Sequence, residues 1–219
     1  MNAAGKCPPE RREFSQLKQR SFGRAELYLE REHLDNFEKS LRNCERAEAE
    51  IVSIHTPHVT SRELDYFRKA DEMASRLNAE LVVHSQYLHH VNIPFVEENI
   101  EFESDYGYEN NPGISVRAIE SLIVERGYSL VLDTAHLFMA VEDYLEKMRY
   151  ILDSYGERIE VLHVSDSTRR KDGKAFGEGE MDMEKVCRMV KDSGFEGEIV
   201  LEVMPGHQKE ALEKWNNYT

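Results

Sequence analysis

The sequence predicts an α/β protein whose parallel strands either close into a (β/α) barrel or form a doubly wound sheet. Three observations carry this. Short apolar runs recur along the 219 residues, longer charged stretches of helical period separate them, and the runs are apolar without alternation. Strands of that kind are covered on both faces, which is the situation of a parallel sheet under helices. Seven units in a chain of this length suit a barrel.

The runs are Ala25–Leu29, Ile51–Ile54, Leu81–Val83, Pro94–Val96, Leu130–Leu132, Val161–Val164 and Ile199–Leu201. Between them, Leu64, Phe67, Met73 and Leu77 share one face of a helix. Tyr144–Leu152 and Met183–Val190 read the same way, with Met139, Met148 and Met189 as core filler. Gly127 and Gly194 sit where helix C-terminal caps belong. An eighth strand would have to come from the first 22 residues, which are polar and contain two prolines. Residues 1–22 are therefore read as an irregular segment in which the first barrel strand is missing or distorted, and 23–219 as a single barrel domain.

Composition narrows the function classes. Asp and Glu number 42 against 28 Lys and Arg, for a net charge of −14. A nucleic-acid binder needs a basic footprint, so this balance argues against such a partner. No apolar run approaches the ~20 residues that span a bilayer, and Met1–Gln16 carries no signal-peptide core. The three cysteines are odd in number and far apart, which excludes a disulfide framework and suits a reducing, cytoplasmic setting.

The chemistry sits where the runs end. His55, His84, Glu98, Asp133 and Glu202 each close a run, and His163 lies inside VLHV. Apart from the short step between His84 and Glu98, successive positions lie about one βα unit apart. In a parallel barrel these ends converge on one face. Ionisable groups held beside apolar walls must pair or bind a metal. Six carboxylates and imidazoles without a matching cluster of Lys or Arg are best satisfied by a divalent cation. Of Glu97 and Glu98 only one can face inward, and the following Asn99 favours Glu98. His58, His89 and His90 lie in loops beside the same face. Gly177-Glu178-Gly179 lacks the Lys-Ser/Thr of a phosphate loop and reads as a tight turn.

The strings VSIHTPH, LVVHSQ, VEENIE, LVLDTAH, VLHVSDS, FGEGEMD and IVLEV, in this order, resemble the xylose-isomerase-like barrel superfamily. That group, also described as AP endonuclease family 2, unites endonuclease IV with sugar and sugar-phosphate isomerases and epimerases. The resemblance runs from about Arg24 to Pro205 and implies a (β/α)8 TIM barrel. It implies a metal held by Glu98, Asp133, His163 and Glu202; the histidines favour zinc, and the carboxylates also suit manganese or cobalt. A second ion on the endonuclease IV pattern would share Glu98 with His55 and His84. A third there uses the histidine matching His136 and an Asp-x-His pair, but this sequence reads Lys171-Asp172-Gly173-Lys174, so that site is incomplete.

The resemblance therefore favours an isomerase or epimerase that acts on a small sugar or sugar phosphate through an enediolate. Glu98 and Glu202 would be acid and base, and His136 and Arg169 would bind substrate. A zinc phosphodiesterase with two ions is the alternative, and a non-catalytic sugar-binding barrel the third reading. Outer helices of such barrels often form homodimer contacts.

Overall fold

A computed structural model describes residues 2–84 and 92–218, apart from the side chain of His84. The strands are β1 (Ala4–Cys7), β2 (Arg24–Tyr28), β3 (Glu50–His55), β4 (Glu80–His84), β5 (Tyr106–Glu109), β6 (Ser129–Asp133), β7 (Ile159–Val164), β8 (Asp166–Thr168), β9 (Lys171–Lys174) and β10 (Glu198–Leu201). Helices α1 (Arg11–Gln19), α2 (Arg31–Asp35), α3 (Phe37–Cys44), α4 (Leu64–Leu77) and α5 (Ile93–Asn99) fill the first half. The second half carries α6 (Val116–Leu122), α7 (Thr134–Ala140), α8 (Tyr144–Tyr155), α9 (Met183–Asp192) and α10 (Gln208–Tyr218).

Strands β1 to β7 and β10 form a closed, all-parallel barrel in chain order, with β10 returning to β1. Its interior is plugged by Ala4, Val52, Val82, Val131, Val161 and Val200, one small or branched residue from each of six strands. Closing the barrel removes both sheet edges and raises the site residues onto a packed floor. A second, larger core lies between strands and helices. It contains Met148, Met189 and Trp215, with Met139 packed against it.

The first 22 residues are not irregular. Ala4–Cys7 is a regular strand, in parallel register with β10 (Ala4 opposite Val200) and with β2 (Cys7 opposite Leu27). It escapes a reading by pattern because it is only four residues long and built from Ala, Gly, Lys and Cys. Gly5 is there for space: a Cβ would come within 2.7 Å of Leu17 Cδ1 on α1.

Pro94–Val96 is not a strand. Asn92 Oδ1 accepts from Phe95 N at 3.1 Å, and the proline stands in the first turn of α5. Both are helix-start features. The strand of this unit is Tyr106–Glu109. Tyr108 and Tyr106 donate their hydroxyls to Glu97 at 2.6 and 3.0 Å, tying α5 to β5.

Beyond β7 the chain forms a hairpin, β8 and β9 pairing antiparallel. The Asp166 carboxylate accepts from the backbone of Ser167, Gly177, Gly179 and Met181 at 2.7 to 3.2 Å. Gly177-Glu178-Gly179 is thus a turn gathered onto one buried acid. A Cβ at Gly179 would stand 2.1 Å from Asp166 Oδ1.

Candidate metal centre

Among the described residues, seven strands deliver side chains to the carboxyl end of the barrel. Lys6 comes from β1, Glu26 from β2, His55 from β3, Glu109 from β5, Asp133 from β6 and His163 from β7, while Glu202 directly follows β10. Together with His136 at the start of α7, most of these line an open cavity of about 330 Å³.

His163 is the centre of the arrangement and has no solvent exposure. Its Nδ1 lies 2.8 Å from Glu109 Oε1 and 3.2 Å from Glu202 Oε2, and its Nε2 lies 2.9 Å from Glu26 Oε2. His55 Nε2 lies 3.3 Å from the other Glu109 oxygen, and the two imidazoles stack with centroids 5.8 Å apart. Lys6 Nζ contacts Glu202 Oε1 and stands 3.1 Å from Glu26 Oε1.

Asp133 is placed by backbone as much as by side chain. Its N–H donates to Asn110 Oδ1 at 2.7 Å, and its carbonyl accepts from Asn110 Nδ2 at 3.0 Å. Its carboxylate caps α7 by accepting from His136 N at 2.7 Å. The His136 ring is held by Asn110 O at 2.8 Å and by Asp172 Oδ2 on the hairpin at 2.9 Å.

The electrostatics follow from four carboxylates facing one lysine and the imidazoles. Burial raises the pKa of Asp133 to about 7, with Glu202 and Glu109 adding and His136 opposing. Burial acts against charge on Glu26 too, but His163 and Lys6 outweigh it and lower Glu26 to about 2. His136 is raised to about 10, since Asp133 and Asp172 overcome its burial. Lys6 is raised as well: Glu202 and Glu26 outweigh the desolvation.

Two ligand sets emerge among the described residues: Glu109, Asp133, His163 and Glu202, and His55, Glu109 and His163. Within each, one donor atom per residue lies within 4.8 Å of the others. Three carboxylates and an imidazole are donors that zinc or manganese accepts. Without an ion, burial and the neighbouring carboxylates favour a proton on Asp133 and a second proton on His163, and these are the protons that a divalent cation would replace. The residues therefore fit a metal.

Of the expected residues, the barrel brings together His55, Asp133, His163, Glu202 and His136. His84 ends β4 opposite Glu109 in the register; its side chain, like His89 and His90, lies outside the described residues. Glu98 is not in the site. It is exposed on α5, because IPFVEEN folds as a helix. Glu109 takes its place at the end of β5, and Glu109-Asn110 is the Glu-Asn pair that locks Asp133. Arg169 is also elsewhere. Its guanidinium lies 4.1 Å over the Phe138 ring and donates to the carbonyls of Phe138 and Val141, closing the end of α7.

Lys6 and Glu26 were not expected. No short-range signal marks Lys6. The run AELYL contains one charged residue in an otherwise apolar strand, and that is the signal for Glu26.

The chain belongs to the xylose isomerase-like TIM barrel family, whose model matches residues 20–218. No curated protein sequence matches it. Among solved structures it is similar to a 3-keto-D-glucoside 4-epimerase from E. coli (TM-score 0.73, 12% identity, 99% of each chain covered). It is similar also to a D-allulose 3-epimerase from Methylomonas sp. (0.70, 12%, 100% of this chain and 98% of that one). A third is a Thermus thermophilus protein soaked with zinc chloride (0.71, 19%, 100% and 98%). At these identities the likeness is one of fold. No helix of the described residues is long and apolar enough to cross a membrane.

Proposed function

We propose that the protein is a divalent-metal-dependent isomerase or epimerase of a small sugar or sugar phosphate. The observation that carries this is the set Glu109, Asp133, His163 and Glu202, whose three carboxylates line a cavity of about 330 Å³ with the His163 imidazole buried beside them. That volume lies at the small end of ligand pockets, about 300–1,000 Å³. A divalent ion there would supply Lewis-acid polarisation of a substrate carbonyl and favour an enediolate.

The chain's own residues would do the rest. Glu109 and Glu202 approach His163 from different strands, and both are held well below the ordinary carboxylate range. Burial opposes this in each; His55 and His163 outweigh it at Glu109, and Lys6 and His163 at Glu202. Both are therefore ionised at neutral pH, and they stand where the resemblance places the acid and base it implies for Glu98 and Glu202, the groups that would move a proton at a carbon beside the carbonyl. His136 Nε2, now on Asp172, would donate to a substrate oxygen. The test is solvent-deuterium exchange into ketoses and their phosphates by protein loaded with manganese or zinc. Deuterium at the carbon beside the carbonyl, lost in Glu202→Gln, supports the reading; no exchange with any substrate overturns it.

A second reading, a zinc phosphodiesterase with two ions, draws on the set His55, Glu109 and His163. Cleavage of abasic-site DNA by zinc-loaded protein would establish it. A barrel that binds a sugar without turning it over is the third, shown by saturable sugar binding without exchange.

A further inference from the structure

We propose that Glu26 is a positioning residue of the metal centre, the group that makes His163 present Nδ1 as a ligand. The inference rests on the metal reading above. Glu26 stands in the middle of β2, in register with Lys6 on β1 and Ser53 on β3, and has no solvent exposure. A carboxylate at such depth is costly unless every contact is used. Its Oε2 accepts from Ser53 Oγ at 2.8 Å and lies 2.9 Å from His163 Nε2, and its Oε1 stands 3.1 Å from Lys6 Nζ. Of these partners only His163 belongs to the ligand set.

The two nitrogens of His163 face different neighbours. Nδ1 faces Glu109 and Glu202, inside the ligand cluster, and Nε2 faces Glu26. An imidazole ligates through the nitrogen that carries no proton. Ligation through Nδ1 therefore requires the proton on Nε2, and a carboxylate there accepts it. Such acceptors behind ligand histidines fix ring orientation and tautomer, and their loss costs about 10–100-fold in metal affinity.

Lys6 makes the test sharp. Its ammonium has donors only. In Glu26→Gln an amide oxygen at the Oε1 place meets Lys6 as an acceptor, and the Ser53 hydroxyl, which donates to Oε2 in the wild type, turns to accept from the NH₂. The NH₂ then falls at the Oε2 place and points at His163 Nε2. Donor would face donor, so the ring would shed the Nε2 proton and carry it on Nδ1, where it blocks ligation. The side chain keeps its size, which preserves the packing of the barrel interior.

Zinc affinity is measured by competition with a chromophoric chelator, and the imidazole N–H signals of zinc-loaded, ¹⁵N-labelled protein are recorded. Wild type should show a low-field Nε2–H signal from His163. Glu26→Gln should bind zinc about 10–100-fold more weakly and lack that signal, with unchanged circular dichroism. Equal affinity and an unchanged signal in Glu26→Gln would overturn the role of Glu26 and leave the metal reading standing. Zinc uptake failing in wild type would overturn both. Should Glu26→Gln not fold, the wild-type spectrum decides: His163 ligated through Nε2 overturns the proposal, and ligation through Nδ1 with a protected Nε2–H supports it.

Discussion

Replacing Glu109 by Gln, beside Glu98→Gln as its partner experiment, separates two carboxylates that look alike in sequence. Glu109 Oε1 meets His163 Nδ1 at 2.8 Å and Oε2 meets His55 Nε2 at 3.3 Å, and the residue belongs to both ligand sets. Glutamine keeps one acceptor oxygen and loses the charge. A hydrogen bond to a charged group contributes about 1.5–3 kcal/mol, and His163 retains Glu26 and Glu202, so metal-free protein should lose about 1–3 kcal/mol of stability. At 2–4 °C per kcal/mol for a chain of this size, Tm falls by about 2–12 °C. Metal affinity should fall further, by at least the ~100-fold that marks the upper end for supporting groups. Glu98→Gln, exposed on α5, should change neither. Chelator-stripped protein is titrated calorimetrically with zinc and manganese, and its melting is followed in parallel. Binding lost in Glu98→Gln and retained in Glu109→Gln would refute the assignment of the ligand carboxylate.

Further expectations follow from the same contacts. Asp133 in metal-free protein, raised to about 7, keeps its proton when the unfolded chain has lost it, so its contribution to stability is lost as pH rises from about 4 to 7. His136, raised to about 10, contributes fully below about 6.5 and loses its contribution as pH rises through 10. Metal binding needs Asp133 ionised, so the Tm gap between metal-loaded and metal-free protein should widen between about pH 6 and 8; a gap that narrows contradicts this. Arg169→Ala should cost about 1–3 kcal/mol by releasing the end of α7 and leave metal affinity unchanged; weaker affinity with unchanged Tm would return Arg169 to the site. Gly5→Ala should destabilise by about 1–3 kcal/mol through its approach to Leu17, and an unchanged Tm would show that α1 yields freely.

How much of this was legible depended on where each signal resides. Periodicity located six of the eight barrel strands, because β2, β3, β4, β6, β7 and β10 carry dense runs of Val, Ile and Leu or Ala-Glu-Leu-Tyr. Strand β1 was hidden, since its four residues derive their strand state from pairing on both sides and none is a strong strand former. Strand β5, YGYE, was displaced by the apolar PFV, although Pro94 after Asn92 is a helix-start signal. The error carried straight to the site, because Glu98-Asn99 and Glu109-Asn110 are the same dipeptide. The spacing could have chosen between them: Glu98 follows His84 too closely for a βα unit, and Glu109 does not. Arg169 was misplaced for a different reason, its partners being backbone carbonyls of α7 that no pattern reveals. Lys6 and Glu26 show their roles only once the barrel closes, when β1, β2, β7 and the end of β10 come together around His163.

The central claim is that four strand ends hold one divalent ion, and the most direct measurement is anomalous scattering from a crystal grown with zinc or manganese, beside elemental analysis of the dissolved protein. A peak is expected within bonding distance of Glu109, Asp133, His163 and Glu202, with Lys6 retained beside Glu202 and Glu26. An ion bound elsewhere, or protein that takes up no metal while Lys6 and His163 alone neutralise the carboxylates, would contradict it.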